Sequence, residues 1–230
     1  MREDLKTNGE WSRARANVYG LLAEVFRSEP SSSFLEHLRE PDVMSTLGSL
    51  GFLPWDEPPS PPSPSHEQLG EDLALEYTRL FIGPGPRISP HESMHVQARF
   101  GEENELWSED TVKVKKFMQA AGVAVNDDFI GMPDHISAEF EFMEQLLDAE
   151  TKAWGDGDDE LAFNILRIEE RFYKEHLSQW VEAFCDKVID ATEHPFYKAF
   201  CGVTKGFIAF EAQTLGELLG GCGGCKKLSA

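Results

Sequence analysis

Apolar residues recur along this chain at the spacing of an α-helix, and runs of proline and glycine separate the stretches in which they do so. The first stretch has apolar residues at i, i+3, i+4, i+7 and i+8, which are Val18, Leu21, Leu22, Val25 and Phe26. This spacing places them on one face of a helix. It predicts an amphipathic helix from Trp11 to Arg27, and a shorter helix is predicted from Ser33 to Leu47.

The same period continues through the rest of the sequence. Further helices are predicted over residues 69–81, from about 105 to 122, from 133 to a glycine-rich break at 155–159, then over 161–172, 177–188 and 195–219. No part of the chain shows a convincing series of alternating strands. A chain of 230 residues is long enough to bury its own core. The sequence therefore predicts an all-α, single-domain helical bundle.

Proline and glycine mark the connections between these helices. Residues 54–66 hold six of the 13 prolines, which cannot continue a helix, so a linker or surface loop is predicted there. The run from Gly83 to Pro86 alternates glycine with proline and predicts a rigid, exposed loop that extends to about Ser93. Residues 221–230 are rich in glycine and cysteine and are predicted to be a flexible tail. The helical domain thus spans residues 1–220.

The charge balance restricts the classes of partner. Asp and Glu number 41 against 21 Lys and Arg, which gives a formal net charge of −20. Such a chain repels phosphate backbones and anionic membranes and attracts basic ligands. We therefore expect no nucleic-acid binding and a basic partner, although acidity also serves simply to keep a protein soluble.

Many of the acidic residues lie close together in the second half of the chain. Between residues 134 and 160 only Lys152 is basic, and the acids are Asp134, Glu139, Glu141, Glu144, Asp148, Glu150, Asp156, Asp158, Asp159 and Glu160. One interpretation is an acidic face whose Asp134 and Glu139 pair with arginines of a partner, with Phe140 and Met143 as apolar contacts. The alternative is that the acids form the solvated side of a helix and that both apolar residues belong to the core.

The sequence contains no membrane-spanning stretch, which requires about 20 apolar residues. The first residues are charged where a signal peptide soon becomes apolar, so we expect a cytoplasmic protein without stable membrane insertion. Cys185 and Cys201 lie in apolar helical patterns and are interpreted as core residues in a reducing compartment.

Two short motifs suggest chemistry. His91, Glu92 and His95 fit the H-E-x-x-H pattern, in which two histidines bind zinc and the glutamate activates water, so a zinc hydrolase is one alternative. The pattern requires a helix, whereas Pro90 and the glycine–proline run lie directly upstream. Cys222 and Cys225 form a single C-x-x-C in the tail, which leaves a thiol or metal carrier as a second alternative. We expect no catalytic residue, resident metal or cofactor.

Three ordered motifs resemble the TorD/DmsD/NarJ family of redox-enzyme maturation chaperones. They are EYTRLFIGPG at residues 76–85, Pro90 with Glu92-Ser93, and PDHI at 133–136 followed by EFEFM at 139–143. The later HLSQW at 176–180 and Phe184 are similar to the C-terminal helical signature of that family. The resemblance covers residues 76–184. Where the family usually has aromatic residues, this chain has His91 and His95.

The resemblance implies an all-helical cytoplasmic chaperone. Members bind the twin-arginine signal peptide, the apo-form of a molybdopterin oxidoreductase, or both, until the cofactor is inserted and export proceeds. A basic–apolar leader is also the ligand that an acidic surface beside aromatic helices would select. A monomer or a homodimer is expected. The residues implied to lie at or around the client-binding region are Tyr77, Leu80, Phe81, Pro84, Gly85, Pro90, Glu92, Ser93, Pro133, Asp134, His135 and Glu139. Some of these positions, such as Leu80 and Phe81, have an alternative role in holding their helix to the core.

Overall fold

A computed structural model of the chain describes residues 2–49, 66–85, 87–100, 108–122 and 132–220. Within these ranges the α-helices are α1 (Arg2–Arg27), α2 (Ser32–His37), α3 (Pro41–Ser49), α4 (His66–Tyr77), α5 (Ser93–Phe100), α6 (Glu109–Ala120), α7 (Ile136–Asp156), α8 (Asp159–Phe172), α9 (Ser178–Ala191) and α10 (Pro195–Gly220). The described residues contain no strand, only an isolated bridge between His91 and His135. The predicted all-α, single-domain fold is confirmed.

Two short π-helical segments are continuous with neighbouring α-helices. Thr78–Ile82 continues α4, and Tyr173–Leu177 joins α8 to α9. A π-helical turn contains about one residue more than an α-helical turn, and such segments are frequent at functional sites. The second segment carries His176, which is buried in the candidate site.

The predicted helix over Ser33–Leu47 is two helices in the structure. α2 ends at His37 and α3 begins at Pro41. Proline fits the first position of a helix, where no backbone donor is needed, and it disfavours helical geometry in the residue before it. The apolar period continues across this interruption, because residues on both sides of it are buried, namely Phe34, Leu35, Leu38 and Leu47. The period alone therefore does not predict the break.

The predicted start of α7 at Pro133-Asp134 is three residues too early. α7 begins at Ile136, and His135 is its N-cap, with Nδ1 accepting from the backbone N–H of Ser137 at 3.2 Å. At the other end Gly157 adopts a left-handed conformation with φ 74°, which terminates the helix as the glycine-rich break predicts.

The prediction of an exposed loop from Gly83 to about Ser93 is only partly correct. Pro84, Gly85 and Arg87 are exposed, but Pro90 is buried and Ser93 already begins α5. Backbone hydrogen bonds hold the second half of this segment against the bundle. The Ile88 N–H donates to the Leu80 carbonyl at 2.8 Å, and the Pro90 carbonyl accepts from the Ile136 N–H at 2.9 Å.

The core is built around α1 and α7, which pack along each other, with α8, α9 and α10 completing the bundle. Tyr19, Phe26, Phe140 and Phe184 are buried and in ring contact, with centroids 5.5 to 6.5 Å apart. Such contacts add to the stabilisation from area burial. Phe140 and Met143 are fully buried, so the interpretation that they belong to the core is the correct one. Cys185 and Cys201 are buried free thiols, as predicted.

A buried arginine connects four helices. The guanidinium of Arg15 on α1 donates two hydrogen bonds of 2.8 Å to Glu211 on α10 and one of 2.9 Å to Glu169 on α8, and it lies 3.7 Å from Glu150 on α7. Burial opposes the charged form, but the Glu169 and Glu211 carboxylates raise the pKa of Arg15 above its usual value. Burial also raises the pKa of Glu169 well above the usual range, because one cation does not neutralise three carboxyl groups.

No helix among the described residues has the length and apolar content to cross a membrane. The predicted loop at residues 54–66, apart from His66 at the start of α4, and the predicted tail at residues 221–230 lie outside the described residues.

Candidate functional site

Two of the motif segments meet in the structure. Residues 90–93 and 134–136 lie side by side, with the Glu92 N–H donating to the Asp134 carbonyl at 2.9 Å and the Ile136 N–H donating to the Pro90 carbonyl at 2.9 Å. The rings of His91 and His135 contact each other edge to face, with centroids 5.0 Å apart. Segments more than 40 residues apart in sequence therefore form one local unit at the start of α7.

His135 is held neutral in this unit. Burial, and next the neighbouring His91, lower the pKa of His135 to about 3. The neutral form also suits its role as N-cap, because Nδ1 accepts from the Ser137 N–H and a protonated ring could not. Burial lowers the pKa of His91 as well. The histidine pair is partly exposed and forms a neutral, amphipathic surface.

Asp134 connects three segments below this surface. Its Oδ2 accepts from the backbone N–H of Ser93 at 3.3 Å and from the Thr111 hydroxyl at 3.0 Å. The carboxylate thus satisfies a free donor at the start of α5, whereas the N-cap of α7, the helix that follows it, is His135. Asp134 is fully buried. Its Oδ1 has no hydrogen-bond partner among the described residues.

Two further pairs of buried polar side chains lie next to this unit. His176 Nδ1 is 2.9 Å from Glu92 Oε2, and the indole N–H of Trp180 donates to Glu139 Oε2 at 3.1 Å. Burial, and next the Glu92 charge, raise the pKa of Glu139 well above its usual range. Two acids of the motifs therefore meet the HLSQW segment inside the protein, where their side chains hold α5, α7 and α9 together.

The EYTRLFIGPG motif has a buried half and an exposed half. The Tyr77 hydroxyl donates to the Phe26 carbonyl at 3.1 Å, and the ring of Phe81 contacts those of Tyr77 and Phe184. Leu80 is also buried, so the core role is confirmed for Leu80 and Phe81. The exposed half contains Pro84 and Gly85.

The twelve positions implied by the resemblance thus divide by exposure. Those at the surface, fully or partly, are Pro84, Gly85, Pro133 and His135, and the buried ones are Tyr77, Leu80, Phe81, Pro90, Glu92, Ser93, Asp134 and Glu139. Trp180 and Phe184 connect the buried part of the first motif with Glu139. Trp180 binds Glu139 and contacts Phe184 edge to face, and Phe184 contacts Phe81. Nothing in the sequence indicates that Thr111 binds Asp134.

The acidic face predicted over residues 134–160 is present only in part. Asp134, Glu139 and Glu150 are buried, so they are not available at the surface. Glu144 instead lines a groove of about 660 Å³ between α1, α2, α3 and α7. Glu24 and Asp42 lie in the same groove, whose apolar wall is formed by Val18, Leu21, Phe34 and Val43. Burial raises the pKa of Glu144 above its usual value.

The three residues of the H-E-x-x-H pattern have separate partners. His91 Nδ1 lies 3.0 Å from the Ser89 hydroxyl, and Glu92 pairs with His176. His95 Nε2 lies 2.8 Å from the Ser89 carbonyl, and its Nδ1 is 3.3 Å from Lys187 Nζ. Across the described ranges, no group of three or more His, Cys, Asp or Glu side chains is arranged to hold a metal ion. Cys222 and Cys225 lie outside those ranges.

Comparisons with known proteins agree with these motifs. A sequence model described as nitrate reductase delta subunit matches residues 63–186. The chain is also similar to proteins named chaperone protein TorD. It is 23% identical to that of Shewanella loihica over 218 residues, covering 89% of this chain and 94% of the relative. It is 22% identical to that of Vibrio atlanticus, covering 92% and 99%. Because the family model covers more than half of the chain, and because these relatives match almost end to end, the chain belongs to the TorD-like chaperone family that this delta subunit model describes.

Proposed function

We propose that this protein is a maturation chaperone that binds the twin-arginine leader of a molybdopterin oxidoreductase, its apo-form, or both, before export from the cytoplasm. Membership of the TorD-like family supports a chaperone for a redox enzyme. The names of the relatives are those of chaperones, in agreement with the expectation that the chain is not an enzyme.

The observation that carries the proposal is the pairing of residues 90–93 with 134–136. This pairing places His91 and His135 close to the exposed residues Pro84, Gly85 and Arg87, because Ile88 and Ser89 connect Arg87 to the segment that carries His91. Pro84, Gly85, Pro133 and His135 are the members of the predicted set that a peptide can touch directly. The eight buried members frame this surface, because they fix the position of the segments that carry it.

The acidic groove supports the choice of a basic–apolar peptide. Its lining holds three acids, Glu24, Asp42 and Glu144, against one arginine, Arg27, beside an apolar wall. This acidic balance and the apolar wall match the two chemistries of a leader. Glu144 follows His135 by nine residues, or about 14 Å along α7. Nine residues also rotate the chain by about two and a half turns, so the two positions lie on different sides of α7. A leader that contacts both surfaces therefore passes around the helix and needs more than the roughly five extended residues that the rise alone requires. We propose that its arginines lie in the groove and that its apolar region lies toward the histidine pair.

Purification of the chain from its native host tests the proposal directly. Mass spectrometry of the bound material is expected to identify a redox-enzyme precursor with its leader attached. Replacing Glu24 and Glu144 by Gln should reduce the amount recovered, whereas replacing the exposed Glu160 and Glu193 by Gln is a control that removes the same charge elsewhere. Recovery of no such precursor, or equal losses in both double variants, would contradict the proposal.

A further inference from the structure

A second concave surface adjoins the candidate site at Glu92 and His176 and has a charge opposite to that of the acidic groove. It is a cleft of about 830 Å³ between α6 and the α8–α9 region, with part of α5 at its edge. Its floor is apolar and includes Val96, Phe117, Ala121 and Ile168. The Glu92–His176 pair lies at the deep end, where the His176 ring contacts those of Phe117 and Phe172.

Five of the chain's 21 basic residues line this cleft, and they are Lys113, Lys116, Arg167, Arg171 and Lys174. Among the residues that the structure describes, three acids, Glu92, Asp110 and Glu175, line it as well. The cleft therefore has a formal positive balance on a chain whose net charge is −20. A field of this kind attracts anionic groups and repels a basic leader.

The basic side chains are arranged along the walls of the cleft. Arg167, Arg171 and Lys174 occupy positions i, i+4 and i+7, which share one helix face and extend over about 10 Å. Lys113 and Lys116 occupy i and i+3 of the facing helix α6. A single phosphate or other small anion cannot contact both rows along this length, whereas a peptide with carboxylates at intervals of one helical turn can.

The ion pairs that these bases already make do not prevent an exchange of partner. Lys113 binds Asp110 at 2.7 Å and Arg171 binds Glu175 at 2.7 Å. Lys174 binds Glu170 at 2.6 Å, and all three basic side chains are mostly exposed. Exposed pairs of this kind contribute little to stability, so replacing one carboxylate by another costs little. The Arg171 guanidinium also lies over the Phe117 ring, 5.0 Å from its centroid, which orients it above the apolar floor.

We propose that this cleft is a separate docking site for a polypeptide segment that combines acidic and apolar side chains. The acidic side chains would contact the two basic rows, and the apolar ones would cover the floor. The site differs in charge and position from the acidic groove proposed for the leader. A chain with both surfaces can hold two chemically different segments of one partner, or two partners, at the same time.

The test uses a fluorescein-labelled peptide of about 15 residues, with Glu at every third or fourth position and Leu between them. Fluorescence anisotropy with the full chain is expected to show binding that weakens as salt rises from about 50 to 500 mM. Replacing Lys116 and Arg171 by Glu should raise the Kd roughly tenfold or more. The milder replacement of both by Gln should raise it less and covers the case in which the charge reversal impairs folding.

A matched control separates the cleft from the overall charge. Replacing Arg13 and Lys198 by Glu makes the same change in net charge at two residues that do not line the cleft, and it should leave the Kd within about threefold. Equal weakening by both charge reversals would overturn the proposal. A peptide with Ser in place of Leu should bind more weakly, and tripolyphosphate should compete poorly. Equal binding by the Ser peptide, or full competition by tripolyphosphate, would show a simple anion site and would also overturn it.

Discussion

The carboxylate of Asp134 accepts a hydrogen bond from the backbone N–H of Ser93, which lies 41 residues earlier in the sequence. The same oxygen accepts from the Thr111 hydroxyl. One buried side chain therefore fixes the starts of α5 and α6 against the segment that leads into α7. The relationship explains why an aspartate at this position matters to the local structure even though it touches no solvent.

Replacement of Asp134 should therefore act on stability. Asp134→Asn retains an acceptor but buries an amide N–H₂ where Oδ1 has no partner among the described residues, so we expect a loss of roughly 1–3 kcal/mol in the free energy of unfolding. Asp134→Ala should cost more, and Thr111→Val, which removes one donor, should cost about 1 kcal/mol. Denaturant titration measures all three. The sequence-based hypothesis of a direct contact with a client arginine predicts the opposite pattern for Asp134→Asn, with an unchanged Tm and weaker leader binding.

His135 should make the protein less stable in mild acid. Its pKa is about 3 in the folded chain against an ordinary value of 6.5, so below pH 6.5 the unfolded state takes up a proton that the folded state does not. Stability is therefore lost as pH falls from 6.5. His135→Asn keeps an N-cap acceptor and removes the titration. We expect the variant to lose about 1 kcal/mol less than the native chain between pH 6.5 and about pH 5.

Urea titrations across this pH range measure the effect. His37→Asn, at an exposed histidine, provides a control for the loss of one imidazole. Identical slopes for His135→Asn and the native chain would show that His135 does not titrate as its burial requires.

Glu139 should have the opposite pH dependence. Its pKa is raised by burial and by Glu92, so the folded state holds a proton that the unfolded state releases above its ordinary value of 4.5. The associated stability is present below pH 4.5 and is lost as pH rises toward the folded pKa. Glu139→Gln removes this titration and retains an acceptor for the Trp180 indole. The variant should gain stability relative to the native chain as pH rises from about 5 to about 8, and a constant difference would contradict this prediction.

Arg15 should be among the most sensitive positions in the bundle. Arg15→Met leaves Glu150, Glu169 and Glu211 without their common cation, and breaking a buried pair costs about 3–5 kcal/mol. The loss should shrink in acid, where the carboxyl groups are protonated. Arg15→Lys should rescue little, because an ammonium cannot form the bidentate contact with Glu211. Arg13→Met, at an exposed residue of the same helix, should change the free energy of unfolding by less than about 1 kcal/mol.

The helices of this fold are predicted well from the sequence, because the apolar period of 3.6 residues can be recognised within each short stretch of the chain. The starts and ends differ where a single residue decides them, as at Pro41 and His135. The site is harder to predict. Asp134 and Glu139 have the spacing of a solvated acidic helix face, and nothing local shows that their partners are Ser93, Thr111 and Trp180.

Motif resemblance and local chemistry give different information about this site. The motifs correctly identify which segments belong together, since residues 90–93 meet 134–136 and HLSQW meets Glu92 and Glu139. They do not distinguish exposed positions from buried ones, because a sequence motif records the identity of each residue and not its burial. Burial makes that distinction, and it assigns eight of the twelve positions to the interior.

Calorimetry with a synthetic leader peptide tests the central claim most directly. The peptide carries two adjacent arginines followed by an apolar segment of about 10 residues, and a matched peptide has glutamine in place of both arginines. We predict that the full chain binds the arginine peptide with one-to-one stoichiometry and that the affinity falls as salt rises. The Kd for the glutamine peptide should be higher by roughly tenfold or more. Absence of binding heat at low salt and at several temperatures, or equal affinity for the two peptides, would contradict a leader-binding chaperone.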